Sequence, residues 1–141
     1  MILQGGCYCG AVRYVVDGDT FNSTLCHCSD CRRIAGAPAV AWFSTGMDGF
    51  RFSQGNAATF RSSEHILRSF CATCGTTLTF QDGRYPDEID IASATLDDPA
   101  RMPPGDHTFD QYRLPWMRMS DGLPAYPRTR SEGQGGERPA G

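Results

Sequence analysis

The chain has 141 residues, a formal charge of −3 and a pI of about 5.5, which argues against a general nucleic-acid binder. All 13 basic residues are arginines, so mechanisms that need a lysine Schiff base or a lysine general base are excluded. No apolar run approaches the ~20 residues needed to span a bilayer, so no membrane partner is expected.

The predicted elements are mostly short strands. Their β-branched and aromatic residues alternate with polar ones, as in half-buried strands, and turn signals such as Asp17-Gly18 separate them. The predicted strands are residues 11–16, 39–43, 50–52, 59–61, 66–70, 76–80 and 88–92. Residues 32–35 predict one short helical turn before Gly36, and no segment keeps a 3.6-residue apolar period for three turns. The sequence therefore predicts a mainly β, antiparallel domain with little helix, stapled by metal.

The domain is predicted to cover residues 1–127. Residues 128–141 lack an apolar anchor and are rich in Gly, Arg and Glu, so they predict a disordered C-terminal tail. The first six residues show neither a basic start nor a long apolar run, so no secretion signal is expected and the predicted location is cytoplasmic.

Seven cysteines form three clusters with short internal spacings: Cys7-x-Cys9, Cys26-x-Cys28-x-x-Cys31 and Cys71-x-x-Cys74. Seven thiols cannot all pair as disulfides within one chain, and in the cytoplasm close cysteine pairs are more often metal ligands. Each cluster but the middle one adjoins glycine, which permits the tight backbone that lets two sulfurs converge on one ion. The pattern predicts two zinc ions per chain.

Two divisions of the cysteines give one site of four ligands and one of three. One joins the first and third clusters and leaves the middle cluster as a unit; the other adds a single outside cysteine to the middle cluster. The spacing alone does not choose between them, although the first is more economical. A closed four-thiolate site stabilises a fold, whereas a three-thiolate site keeps a position for a ligand.

The ordered motifs resemble one known family. They are Gly6-Cys7-x-Cys9-Gly10-x-x-Arg13-Tyr14, Cys26-His27-Cys28-x-x-Cys31-Arg32, Gly36-Ala37-Pro38 followed by Trp42, and Phe70-Cys71-x-x-Cys74-Gly75-Thr76-x-Leu78, with Pro115-Trp116 and Asp121-Gly122-Leu123-Pro124 later in the chain. Together they resemble the glutathione-dependent formaldehyde-activating enzyme family, also called the GFA or CENP-V/GFA domain, from about residue 3 to Pro127.

The resemblance implies an Mss4-like, metal-stapled β fold with two zinc sites. It implies a structural zinc on Cys7, Cys9, Cys71 and Cys74, and a catalytic zinc on Cys26, Cys28 and Cys31. The activity it implies is condensation of formaldehyde with glutathione to S-hydroxymethylglutathione, a carbon–sulfur lyase reaction in reverse, with glutathione or another small thiol as the partner molecule.

A zinc ion held by three thiolates is a weak Lewis acid, and its better use is to take a fourth, soft ligand such as an incoming thiolate. Arg32, just after the third thiolate, is a candidate partner for a substrate carboxylate. His27 is a candidate proton shuttle and Asp30 a candidate fourth ligand. The alternative functions are a non-catalytic two-zinc interaction module and a thiol redox switch.

Overall fold

The computed structural model of the protein describes residues 2–133, which form ten strands and two short helices. The strands are β1 (Ile2–Gly6), β2 (Arg13–Asp17), β3 (Thr20–Cys26), β4 (Val40–Gly46), β5 (Phe50–Gln54), β6 (Ala58–Arg61), β7 (Ile66–Phe70), β8 (Thr77–Asp82), β9 (Glu88–Ala92) and β10 (Asp106–Thr108). The helices are α1 (Ser29–Ala35) and α2 (Arg130–Gly133). The predicted mainly β class is confirmed. No helix within residues 2–133 has the length and apolar content to cross a membrane.

Two sheets carry these strands. The smaller has the order β1-β2-β5, and the larger has the order β10-β3-β4-β9-β8-β7-β6. The described strand pairings are antiparallel, as predicted, except that β10 runs parallel to β3. A long stretch of chain separates these two strands, so no hairpin turn dictates their relative direction.

The main hydrophobic core lies between the two sheets. Leu3, Tyr14 and Val16 from the small sheet pack in one cluster with Phe43 and Ile91 from the large sheet, and all are almost fully buried. Burying each such side chain stabilises the fold by about 1.5–3 kcal/mol. Because strand residues alternate between faces, the other face of the large sheet remains available for a site.

The sequence predicts seven of the ten described strands. The bounds of β7 and β9 agree with the prediction, and five further strands are present with shifted ends. The strands β1, β3 and β10 were not predicted. Two glycines end β1, Asn22-Ser23 interrupts β3 at a register shift, and β10 is polar throughout, so pairing with neighbours rather than local propensity forms them.

Helix α1 starts three residues before the predicted helical turn. Cys28 is its N-cap, and the Cys28 sulfur accepts the backbone N–H of Cys31 at 3.3 Å. Gly36 closes the helix in the left-handed conformation, with φ 62°. A thiol is an uncommon N-cap residue, so the earlier start carries no standard sequence signal.

The predicted tail begins inside the described part of the chain. The carbonyl of Arg128 accepts the N–H of Phe109 at 2.7 Å, and Arg130 in α2 forms an ion pair with Asp106. The ordered chain therefore continues past Pro127 to Gly133, because Arg130 finds a buried carboxylate far away in sequence. Residues 134–141 lie outside the described residues.

Candidate metal centres and the adjoining cavity

The first and third cysteine clusters meet where β1 and β7 end. The sulfurs of Cys7, Cys9, Cys71 and Cys74 all lie within 4.8 Å of one another. The Cys7 and Cys9 sulfurs are 3.6 Å apart, and the Cys9 and Cys71 sulfurs are 3.8 Å apart. Since β1 belongs to the small sheet and β7 to the large one, this four-cysteine cluster connects the two sheets.

Each pair of sulfurs is presented by a tight turn that ends in glycine. The carbonyl of Cys7 accepts the N–H of Gly10 at 3.2 Å, and the carbonyl of Cys71 accepts the N–H of Gly75 at 2.8 Å. Both glycines have φ of 81°, and a Cβ atom at either would meet nothing within 4 Å. Glycine is therefore required for its left-handed backbone and not for space.

The spacing of the four sulfurs fits one tetrahedral metal ion. A metal–sulfur bond of about 2.3 Å places the sulfurs of a tetrahedral site about 3.8 Å apart. The measured separations of 3.6 and 3.8 Å agree with that edge. They exceed a disulfide bond of about 2.05 Å, and all seven cysteines are free thiols.

The middle cysteines form a second cluster around the start of α1. Cys26 ends β3, Cys28 caps α1 and Cys31 lies in its first turn, and their sulfurs lie within 4.8 Å of one another. Each residue is only 5–6% exposed. The structure thus separates the seven cysteines into four and three, and within residues 2–133 no further protein group joins this three-cysteine cluster.

The three-cysteine cluster favours a negative charge even without metal. Hydrogen bonds from the Cys26 and Cys31 thiols, together with the Cys31 N–H, lower the pKa of Cys28 to about 3, against the opposing effect of burial. The contact with Cys28 in turn raises the pKa of Cys26. One sulfur is therefore an acceptor held as thiolate, the form that a metal binds.

A buried arginine lies near this cluster without a counter-ion. Arg68 is 3% exposed, and its guanidinium carbon lies 5.0 Å from the ring centre of Phe80, which packs against the hydrophobic cluster that contains the three cysteines. Its Nε donates to Ser62 at 3.2 Å, but both terminal nitrogens are buried without a hydrogen-bond partner. An unpaired buried cation costs several kcal/mol. The thiolate cluster supplies the opposite charge, and Arg68 contributes to the lowered pKa of Cys28.

A cavity of about 390 Å³ opens on the face of the large sheet away from the core. All three cysteines of the middle cluster line it, whereas none of the four-cysteine cluster does. Alternate residues of adjacent strands form its floor, in keeping with the two-residue period of a sheet. The floor residues used below are Thr24, Trp42, Ser44, Phe80, Glu88 and Asp90.

Some charged groups of the cavity have ion-pair partners and others do not. Arg84 is ion-paired with Asp82 at 2.8 Å, and Arg130 is ion-paired with Asp106. Asp90 accepts a hydrogen bond of 2.6 Å from the Ser44 hydroxyl. Among the described residues, neither Asp90 nor Glu88 forms an ion pair.

Asp90 has an environment that disfavours its ionised form. Burial raises its pKa from the usual 3.8 to about 6, against the lowering effect of the Ser44 hydrogen bond. Because the folded-state pKa is raised, the contribution of Asp90 to stability is full below about pH 4 and is lost as the pH rises through 6.

The variant Asp90→Asn should therefore be more stable than the parent chain at pH 7.5, by about 2 kcal/mol, because it removes the cost of a buried charge. The difference should nearly vanish at pH 3, below the usual pKa of 3.8, where Asp90 is largely protonated in both states. Chemical denaturation at the two pH values measures it. An equal effect at both would show that the ionisation of Asp90 is not responsible.

Two cavity residues have a strained backbone. Asn22 and Phe109 are the non-glycine residues with positive φ in the described part of the chain, at 53° and 54°. Both line the cavity. Asparagine tolerates this conformation, but for a bulky residue such as Phe109 it costs of order 1–3 kcal/mol. Strain of this kind is concentrated at functional sites.

His27 belongs to a buried polar network. Its Nε2 lies 2.9 Å from Nδ1 of His107, whose Nε2 lies 2.8 Å from a carboxylate oxygen of Asp121. Both histidines are at most 1% exposed, and neither lines the cavity. The network joins the end of β3 to the segment after Arg113. No local sequence motif predicts this long-range pairing.

The other candidate site residues lie away from the sulfurs or the cavity. Asp30 is exposed in the first turn of α1 and does not join the three-cysteine cluster. Arg32, the candidate carboxylate partner, is half-buried but does not line the cavity. The cavity arginines are Arg84 and Arg130, from a turn after β8 and from the predicted tail. Only their position in the fold reveals them.

The fold and the site together define a class of protein: a two-sheet β domain whose sheets are joined by one cysteine cluster that could hold a metal ion, with a second cysteine cluster facing a cavity. The family of glutathione-dependent formaldehyde-activating enzymes matches residues 2–112. The chain belongs to that family, as the resemblance of its motifs indicates.

Individual relatives agree. The chain is 30% identical over 135 residues to a putative glutathione-dependent formaldehyde-activating enzyme of Halomonas elongata, covering 84% of this chain and 82% of the relative. It is 31% identical over 85 residues to an uncharacterized lyase of Schizosaccharomyces pombe, covering 59% of this chain and 61% of that protein. A crystal structure of a Rhodobacter sphaeroides protein superposes with a TM-score of 0.56 at 25% identity, covering 67% of this chain and 87% of the other.

Proposed function

We propose that this protein is a zinc-dependent carbon–sulfur lyase-type enzyme that forms and cleaves the adduct of formaldehyde with a small thiol, such as S-hydroxymethylglutathione. One observation carries the proposal: only the three-cysteine cluster opens into the cavity. The enzyme and lyase names of the relatives support the reaction class.

Zinc suits both clusters because all seven candidate ligands are cysteine sulfurs, and the sulfurs of each cluster lie within 4.8 Å of one another. Cys7, Cys9, Cys71 and Cys74 would hold a structural ion. Cys26, Cys28 and Cys31 would hold a catalytic one, which supplies a fourth position for the thiolate of the substrate.

The cavity residues can hold and shield the reacting groups. Trp42, Phe80 and Phe109 form apolar walls beside the sulfurs and exclude water from the bound thiol. The hydroxyl groups of Thr24 and Thr108 lie 3.0 Å apart and can hydrogen-bond the aldehyde oxygen. Holding thiol and aldehyde together supplies most of the acceleration, because positioning removes the entropy cost of their encounter.

The reaction balances without an oxidant or a further reactant. In the forward direction a carbon–sulfur bond forms, the carbonyl π bond opens and the thiol proton ends on the new hydroxyl oxygen. In reverse the carbon–sulfur bond breaks, and formaldehyde and the free thiol leave.

Arg68 should prove to be a positioning residue for the second zinc. In Arg68→Met the loss of the buried positive charge should weaken zinc binding at the three-cysteine cluster by roughly 10- to 100-fold. Chelator competition measures both sites in one titration, so the four-cysteine site serves as the internal reference. Arg68→Lys, which keeps the charge, should recover part of the loss. Equal weakening of both sites would indicate a general loss of stability instead.

Exchange spectroscopy with ¹³C-formaldehyde and glutathione tests the reaction itself. The zinc-loaded protein should accelerate interconversion of hydrated formaldehyde and the S-hydroxymethyl adduct, and protein stripped of the less tightly held zinc should not. Restoring one zinc per chain should restore the rate. No acceleration with glutathione or with 2-mercaptoethanol would contradict the proposed function.

A further inference from the structure

The end of the cavity away from the sulfurs carries two carboxylates that form no ion pair among the described residues, although the charge of Arg130 acts on Asp90. The arginines there are already engaged, Arg84 with Asp82 and Arg130 with Asp106. Arg68 does not line the cavity, and its charge acts on Cys28. The remaining charges are those of Glu88 and Asp90, on the same face of β9. A bound cation would compensate them.

Strand register gives the distance between the two ends. Cys26 is opposite Val40, and Asp90 is opposite Ser44, four residues further along β4. At about 3.3 Å per residue the row of Asp90 lies about 13 Å from the sulfur row, and Glu88, opposite Gly46, lies about 7 Å further along the sheet. Trp42 and Thr24 lie between the rows, and both line the cavity. The cavity is therefore long enough for an extended thiol and not only for formaldehyde.

We infer that Glu88 and Asp90 bind an ammonium group at the far end of an extended thiol substrate, and so determine which thiols the enzyme accepts. This inference rests on the proposed function, because it takes the substrate sulfur to lie at the three-cysteine cluster. In glutathione, eight bonds separate the sulfur from the γ-glutamyl nitrogen, about 10 Å when extended. With a metal–sulfur bond at one end and a hydrogen bond at the other, this length matches the separation of the two rows.

The geometry of Asp90 supports this role. The Ser44 hydroxyl donates to its Oδ1, which fixes the carboxylate and leaves Oδ2 without a hydrogen-bond partner among residues 2–133. A charge-assisted hydrogen bond from an ammonium group is stronger than a neutral one. The unpaired carboxylates also repel a thiol that is purely anionic, so they discriminate between substrates by charge.

Two probes of matched shape test the inference: glutathione and glutaryl-cysteinyl-glycine, which differs from glutathione only in lacking the ammonium group. Isothermal titration of the zinc-loaded protein at pH 7.5 should show glutathione binding roughly tenfold or more tightly. In Glu88→Gln/Asp90→Asn the two probes should bind with similar affinity. The ratio of the two probe affinities is compared between the parent protein and the double variant. This ratio cancels differences in zinc loading or stability between the two proteins.

The outcomes separate the inference from the function. If both probes bind the parent protein equally and the adduct still forms, the ammonium site is wrong and the proposed reaction stands. A preference for glutathione that persists in the double variant would also overturn the site, because other groups would then bind the ammonium. If neither probe binds in a zinc-dependent manner, the proposed function fails and the inference fails with it.

Discussion

Replacing Cys74 by serine should unfold the domain. The four-cysteine cluster connects the end of β1 to the end of β7, and thus the small sheet to the large one. Losing one thiolate weakens the binding of the zinc ion that would close this long loop. A structural zinc of this kind stabilises a fold by several kcal/mol. Because domains are stable by only about 5–15 kcal/mol, a loss of about 5 kcal/mol or more removes much of the folded population.

Circular dichroism during heating, together with the zinc content by mass spectrometry, measures this effect. We expect a large fall in Tm and loss of the tightly held zinc. Cys28→Ser is the matched control, since it makes the same chemical change in the other cluster. A Cys74→Ser protein with the Tm of the parent chain would show that the four-cysteine cluster does not hold the fold.

Replacing Cys28 by serine should reduce adduct turnover to the uncatalysed rate while the fold survives. Cys28 has two separate tasks, since its sulfur lines the cavity and also caps α1 by accepting the N–H of Cys31. Serine is among the preferred N-cap residues, so the variant keeps a cap and removes only the thiolate. The variant should therefore lose zinc binding at the three-cysteine cluster and adduct turnover, and keep the stability of the fold.

The expected protein has one zinc per chain, a Tm close to that of the parent and no acceleration in formaldehyde exchange spectroscopy. Cys28→Ala provides a second comparison, because it also loses the cap and should be less stable than Cys28→Ser by about 1 kcal/mol. Full turnover in Cys28→Ser would remove the three-cysteine cluster from the mechanism. If Cys28→Ser and Cys74→Ser both unfold the protein, the distinction between a catalytic and a structural cluster would lose its support.

The cysteine clusters were largely predictable because cysteine spacing is a local property. The turns around Gly10 and Gly75 follow from short motifs, and so does the contiguous cluster from Cys26 to Cys31. The choice between the two divisions of the cysteines required the sheets, since only strand pairing brings Cys9 within 3.8 Å of Cys71.

The substrate end of the site was not predictable, because it is assembled from distant strands. The candidate nearest in sequence, Arg32, lies outside the cavity. Arg84 enters it from the turn after β8, Arg130 enters from α2, and Asp90 enters through the register of β9. Arg130 in particular belonged to the predicted tail. Sequence periodicity does not indicate which carboxylate an arginine will pair with. The ion pairs can therefore be identified only in the folded chain.

The proposed function requires that the three-cysteine cluster binds a zinc ion with one position left for the substrate sulfur. Anomalous diffraction at the zinc edge, from crystals of the zinc-loaded protein soaked with glutathione, tests it most directly. We expect two zinc peaks per chain, one in each cluster, with the glutathione sulfur bonded only to the ion of Cys26, Cys28 and Cys31. A fourth protein ligand on that ion, or zinc in the four-cysteine cluster alone, would contradict the claim.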